Sequence, residues 1–188
     1  MNIELNKKTF LGFGLGAVQS GLMLYEAQKS NNFDRYIIIE VNDEIVNAVK
    51  KNGNKIIVNT AKKDSIVKTI ISDIEIYNPQ NPDDYAHIAT SIYQADEMAT
   101  AVPSVEFYDT GNNSIARLLA ENLNPNKSQI LYAAENNNYA AEILTEKIKK
   151  YDVNNNLRQF QAIDTVIGKM GGVILDSKTV KEFDLDYY

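Results

Sequence analysis

Apolar and polar positions along this chain alternate between strand-like runs and helix-like spacings. Thr9-Phe10-Leu11 is a short apolar run, and glycines at 12, 14, 16 and 21 follow it closely. Val18, Leu22, Met23 and Ala27 then recur at helical spacing, predicting a helix over 17–27. Tyr36-Ile37-Ile38-Ile39 reads as a buried parallel strand ending at Glu40. Ile45, Val46 and Val49 predict a helix over 41–51, stopped by Asn52-Gly53. Two extended stretches follow at 55–60 and 66–77, the second alternating through Ile70, Ser72, Ile74 and Ile76. Helices are predicted at 83–94, 114–123 and 138–150, and strands at 97–102, 129–133 and 160–167. This order predicts an α/β fold: a doubly wound, mostly parallel sheet with helices on both faces and an inserted strand pair around 55–77.

The glycine cluster adds chemistry to that outline. A glycine bend between a strand and a helix lets backbone N–H groups approach a ligand, and the helix behind it contributes its positive end. Glu40 stands about 20 residues past the bend, the usual place for a carboxylate that accepts from a ribose hydroxyl. Strand, bend, helix, strand and acid together predict a Rossmann-type site for an adenosine-containing ligand. The plain alternative is a tight turn with an acid capping a strand. Val41, Asn42, Asp43 and Glu44 follow Glu40 with no cation among them, which favours NAD over its 2′-phosphorylated form.

Composition narrows the field. The chain has 188 residues, 44% of them hydrophobic, enough for one domain with a full core. Its formal charge is −6 and its cations are scattered, so no basic face suggests nucleic acid. No apolar run is long enough for a membrane span. Cysteine is absent, which removes thiol chemistry and fits the cytoplasm. With a single histidine as well, a structural zinc site is not expected. That histidine, His87, falls inside the 83–94 helix and reads as a surface or packing residue.

Two further loops leave predicted strand ends, where ligands bind in such sheets. They are Thr100-Ala101-Val102-Pro103-Ser104 and Glu135-Asn136. With them, the chain resembles the N-terminal domain of the mannitol dehydrogenase family, which includes mannitol-1-phosphate 5-dehydrogenases and hexuronate reductases. Phe13-Gly14-Leu15-Gly16-Ala17-Val18-Gln19-Ser20-Gly21 is similar to that family's opening, Ile39-Glu40-Val41-Asn42 to its acid-Val-Asn, and Thr100-Ala101-Val102 with Ala134-Glu135-Asn136 to its later loops. The resemblance implies that Gly14, Leu15, Gly16 and the amides near Ala17 and Val18 hold NAD pyrophosphate. It implies Glu40 on the adenine ribose, and Val102 and Asn136 along the nicotinamide half. Gln19 replaces the usual third glycine, leaving Gly21 for helix packing, and Gly168-Lys169-Met170 replaces an Asp-Arg-Ile.

The family's hydride transfer implies a lysine motif on a separate helical domain, and the chain stops at Tyr188 without one. The expectation is therefore an NAD-binding domain at 1–175 of a polyol or sugar-acid dehydrogenase. Residues 176–188, ending Phe183-Asp184-Leu185-Asp186-Tyr187-Tyr188, would lead to an absent catalytic domain or a partner chain. No catalytic residue is assigned. Two alternatives share the glycine bend and the acid: an adenosylmethionine-dependent methyltransferase, and a non-catalytic nucleotide-binding or interaction module.

Overall fold

The computed structural model describes residues 8–169, 171–172, 174 and 177–182. Its frame follows from strands with buried apolar centres. β1 (Thr9–Phe13) is buried at every position and lies between β2 (Arg35–Ile39) and β6 (Glu97–Thr100), parallel to both. β7 (Gln129–Ala133) and β8 (Phe160–Asp164) extend one side, and β5 (Ile74–Tyr77) flanks β2 on the other. The order β5-β2-β1-β6-β7-β8 is that of a doubly wound α/β fold, as the sequence predicts.

Alternation along the strands divides the core into two layers. Leu11, Phe13, Ile37 and Ile39 face α3 (Pro82–Gln94), α4 (Ile115–Asn122) and α5 (Ala140–Lys149), meeting Ile88, Leu118 and Leu144 there. Phe10, Tyr36 and Ile38 face the other way and pack with Leu24, Val46 and Val49. Val46 and Val49 belong to α2 (Asp43–Lys51), whose first turn is capped by the Asn42 side chain accepting from Glu44 N–H at 2.9 Å.

The stretch expected as one strand over 66–77 is two. β4 (Ile66–Ile71) pairs antiparallel with β3 (Ile56–Ala61) as a separate ribbon, and β5 leaves it for the main sheet. The break is local. Asp73 takes a left-handed conformation (φ 57°), and Gln28 holds Ser72 by donating to its carbonyl at 2.9 Å. Alternation continues through this bend, so periodicity alone does not reveal it. The strand predicted over 97–102 ends at Thr100 and the one over 160–167 at Asp164, each where the chain turns into a loop at the sheet's end. Val105–Asp109 forms a single tight helical turn with no helical periodicity to announce it.

The first helix also differs from expectation. It starts at Ala17, but Gln19–Leu24 are wound as a π-helix before α1 (Tyr25–Ser30) resumes ordinary winding. The wider turn brings Gln19 fully inside, where its amide fills the space a Cβ at Gly12 would need. Gly21 has nothing within 4 Å of its Cβ position, so the close packing expected of it is made at Gly12 instead.

Across β2 and β5, Arg35 forms a fork with Glu75, its second bond at 2.7 Å, and the Tyr77 hydroxyl donates to the same carboxylate at 3.0 Å. The Arg35 hydrogen bond holds the Glu75 carboxyl below its ordinary range, against the opposing effect of burial. A depressed folded value stabilises above the unfolded carboxylate range, near ~4.3, and is lost as pH falls through the folded value. Urea midpoints of wild type and Glu75→Gln are expected to differ at pH 7 and to converge at strongly acidic pH. A gap that persists there would assign the stabilisation to something other than this pair.

Candidate functional site

The carboxyl ends of β1, β2, β6 and β7 meet at one end of the sheet, with the connections from β1 and β6 leaving toward opposite faces. In a doubly wound sheet such a divergence marks the switch point, where a crevice forms between neighbouring parallel strands. Gly14 turns the chain out of β1 in a conformation open mainly to glycine (φ 81°), its N–H donating to Ile39 carbonyl at 2.8 Å. A Cβ on Gly14 would lie 3.2 Å from the Ala101 carbonyl oxygen, and one on Gly16 would lie 3.9 Å from it. Gly14 is required because the loop after β6 packs on the bend, backbone against backbone, whereas a side chain at Gly16 would make only ordinary contact.

Glu40 joins the ends of β1 and β2. One carboxylate oxygen accepts from Leu15 N–H at 2.7 Å and the other from Asn42 N–H at 2.9 Å, and the residue is only 7% exposed. Beyond this clip the helix begins. Ser20 N–H returns to Gly16 carbonyl at 2.9 Å, so the amides of Gly16, Ala17 and Val18 precede the first helical hydrogen bond. Gly16 is exposed and Ala17 and Val18 are half-buried. Gly171 passes over Ala17, its Cβ position 3.5 Å from the Ala17 carbonyl.

Glu135 does for β6 and β7 what Glu40 does for β1 and β2. Its carboxylate accepts from Val102 N–H at 3.0 Å, from Thr100 Oγ1 at 2.9 Å and from the Tyr108 hydroxyl. Glu135 is 6% exposed, Thr100 and Tyr108 not at all. Burial pushes the Tyr108 phenol far above its ordinary value, and its bond to Glu135 adds to the rise. Asn136, next in the chain, is exposed on the loop.

The structure therefore brings Gly14, Leu15, Gly16, Ala17, Val18, Glu40 and Val102 around one crevice, with Asn136 on the adjoining loop. Both acids are backbone clips. Sequence reading missed Tyr108, an isolated tyrosine in a short turn with no pattern marking it as buried. Lys169 lies 4.5 Å from the centre of the Tyr25 ring and 3.7 Å from Glu26. Met170 and residues 183–188 lie outside the described residues. His87 is exposed on α3 and stacks on Tyr77, with ring centres 5.2 Å apart. No group of three or more acids and histidines converges as a metal site among the described residues.

No family model matches this chain. No curated protein matches it. Among solved structures, it is similar to phenylacrylic acid decarboxylase from Aquifex aeolicus at 10% identity, over 97% of this chain and 98% of that one, with a TM-score of 0.43. At that identity and score the likeness assigns no activity to this chain.

These findings correct the family reading. No family model and no curated protein ties this chain to the mannitol dehydrogenase family, and the solved structure named above is a decarboxylase. The assignments to an NAD-dependent oxidoreductase, to NAD as cofactor and to a polyol dehydrogenase function fall with it. The geometry supplies a physical reason. Glu40 already spends both oxygens on backbone amides, one of them in the glycine bend, and the Ala101 carbonyl faces that bend. With Gly14 N–H held by the Ile39 carbonyl and Leu15 N–H by Glu40, the bend keeps for a ligand only the amides of Gly16, Ala17 and Val18. The methyltransferase and nucleotide-module alternatives relied on the same acid and the same bend. They are withdrawn with the first reading.

Proposed function

We propose that the crevice at the ends of β1, β2 and β6 binds a small hydroxylated anion, of which a sugar acid is the representative class. A single carboxylate needs less room than a pyrophosphate and only the first helical turn to hold it. The reading gives Gly16, Ala17 and Val18 amides to the ligand carboxylate. Gly14 and Leu15 keep the bend in shape, with Glu40 clipping it through Leu15 and Asn42 N–H. Val102 is the apolar wall, and Asn136 offers an amide from the far side. The supporting observation is the set of first-turn amides at the switch point of the sheet, next to a bend whose own amides are already taken. Among the described residues no helix is long and apolar enough to cross a membrane. With no cysteine in the chain, we place this binding in the cytoplasm.

Calorimetric titration with D-gluconate and, separately, with mannitol tests the proposal. Gluconate is expected to bind at least about tenfold more tightly, the effect of one charge-assisted hydrogen bond. Ala17→Pro removes one amide at a helix start, where proline is tolerated, and is expected to weaken gluconate by a similar factor without moving the urea midpoint. A folded protein that binds neither compound, or binds both equally, would exclude this reading.

A further inference from the structure

β8 closes one side of the sheet, and among the described residues its outer edge pairs with no strand. Such an edge presents a row of free backbone donors and acceptors. Protection by lysine or proline is common on solvent-facing edges, yet Phe160-Gln161-Ala162-Ile163-Asp164 contains neither. Ile163 is 37% exposed on it. Alongside the edge runs an open groove of about 410 Å³, formed by residues 161–164 and one stripe of α5 that includes Glu142, Thr145, Glu146 and Lys149.

The charges of that stripe are ordered along the helix. Glu142 and Glu146 come first, and Lys149 ends it; all three are exposed. Lys149 reaches Glu146 at 2.7 Å, a surface pair of little intrinsic worth. Reversed end for end, the pattern complements itself. Glu142 then stands opposite Lys149 of a second copy and Thr145 opposite Glu146, and the symmetry repeats each pairing.

The strand and helix share the same centre. Ala141 N–H donates to the Asp164 carboxylate at 2.8 Å, which fixes the start of α5 level with the end of β8. Four helical residues onward, about 6 Å, is Thr145, and two strand residues back, about 6.6 Å, is Ala162. Ala162 is the middle of β8, so one two-fold axis centres both elements. Strands pair about 4.8 Å apart across such an axis. A helix lying over β7 and β8 then meets its mate at roughly the 8–10 Å of packed helices.

We propose that this edge is a homodimer interface, in which β8 pairs antiparallel with β8 of a second copy and the two α5 helices pack side by side with exchanged Glu142–Lys149 ion pairs. The inference is independent of the crevice and its ligand. Isologous contact of this kind closes the assembly at two copies and removes the exposed edge.

Analytical ultracentrifugation with charge reversal tests it. The wild-type chain is expected to sediment as a dimer at about 100 µM, corresponding to at least micromolar-range affinity. Lys149→Glu alone and Glu142→Lys alone are each expected to raise the dimer dissociation constant by about tenfold or more, because each sets like charges face to face twice. The combined E142K/K149E chain is expected to recover the wild-type value. Hydrogen exchange at residues 160–164 should slow with rising protein concentration in the wild type and in the combined variant. A monomeric wild type, a dimer indifferent to the single reversals, or a folded combined variant that stays as weak as either single one would overturn the proposal. A dimer that leaves exchange at 160–164 independent of concentration would do the same.

Discussion

Replacing Glu135 by alanine is expected to lower the unfolding free energy by about 4 kcal/mol, measured by urea denaturation at neutral pH. The carboxylate is the shared acceptor for Val102 N–H, Thr100 Oγ1 and the Tyr108 hydroxyl. Thr100 and Tyr108 are fully buried, so water cannot easily replace the lost partner. Each buried donor left without one costs about 1–3 kcal/mol, and the truncated side chain adds a cavity beside Tyr108. Glu135→Gln is expected to cost clearly less, since its carbonyl oxygen still accepts from one or two of the donors. Equal losses in the two variants would mean that charge, rather than the number of acceptors, holds this corner together.

Gln19→Met is expected to act in the opposite sense and to stabilise the chain by about 2 kcal/mol. Gln19 is completely buried, and neither its amide nitrogen nor its carbonyl oxygen has a hydrogen-bond partner. Methionine has nearly the same length and flexibility, so it can lie along Gly12 and Ile38 without the desolvated amide. The same melts read the outcome, and a midpoint that falls instead would show that the amide has an acceptor or a bound water. The π-helical turn should be sensitive to this change as well. π-helical turns are rare and collect at functional positions, and this one follows directly on the glycine bend.

Much of the frame was legible in the residue pattern. Fully apolar stretches such as Tyr36-Ile37-Ile38-Ile39 admit few alternatives to a buried parallel strand, and stop signals such as Asn52-Gly53 fall at real helix ends. The strand pair inserted near 55–77 was visible too, because alternation marks half-exposed strands. Its division at Ser72-Asp73 was not, since the left-handed residue and the grip of Gln28 interrupt the backbone while leaving the apolar period unbroken.

The strand-end cluster was legible in place, and its chemistry was misleading. Gly14, Glu40 and Val102 do converge, as strand-end positions in such a sheet must. What the string of residues conceals is direction. A glycine required by the approach of the Ala101 carbonyl looks the same in sequence as one required by a phosphate. An acid clipped to Leu15 and Asn42 amides looks the same as one waiting for a ribose. Both distinctions depend on a partner distant along the chain, which local spacing does not encode. Gln19 is a further case: a polar residue at the third-glycine position suggests solvent or ligand, and the π-helical turn carries it into the core.

β1 sits at the middle of the sheet, with one neighbour supplied by the next strand and the other by a strand 87 residues downstream, a separation that dominates the cost of assembling non-local pairs. The proposed grip draws its amides from the early segment and its apolar wall, Val102, from the late one. Binding at their seam would thus report that the two segments have docked, and a partly assembled chain would be blind to ligand even with most of its helices formed.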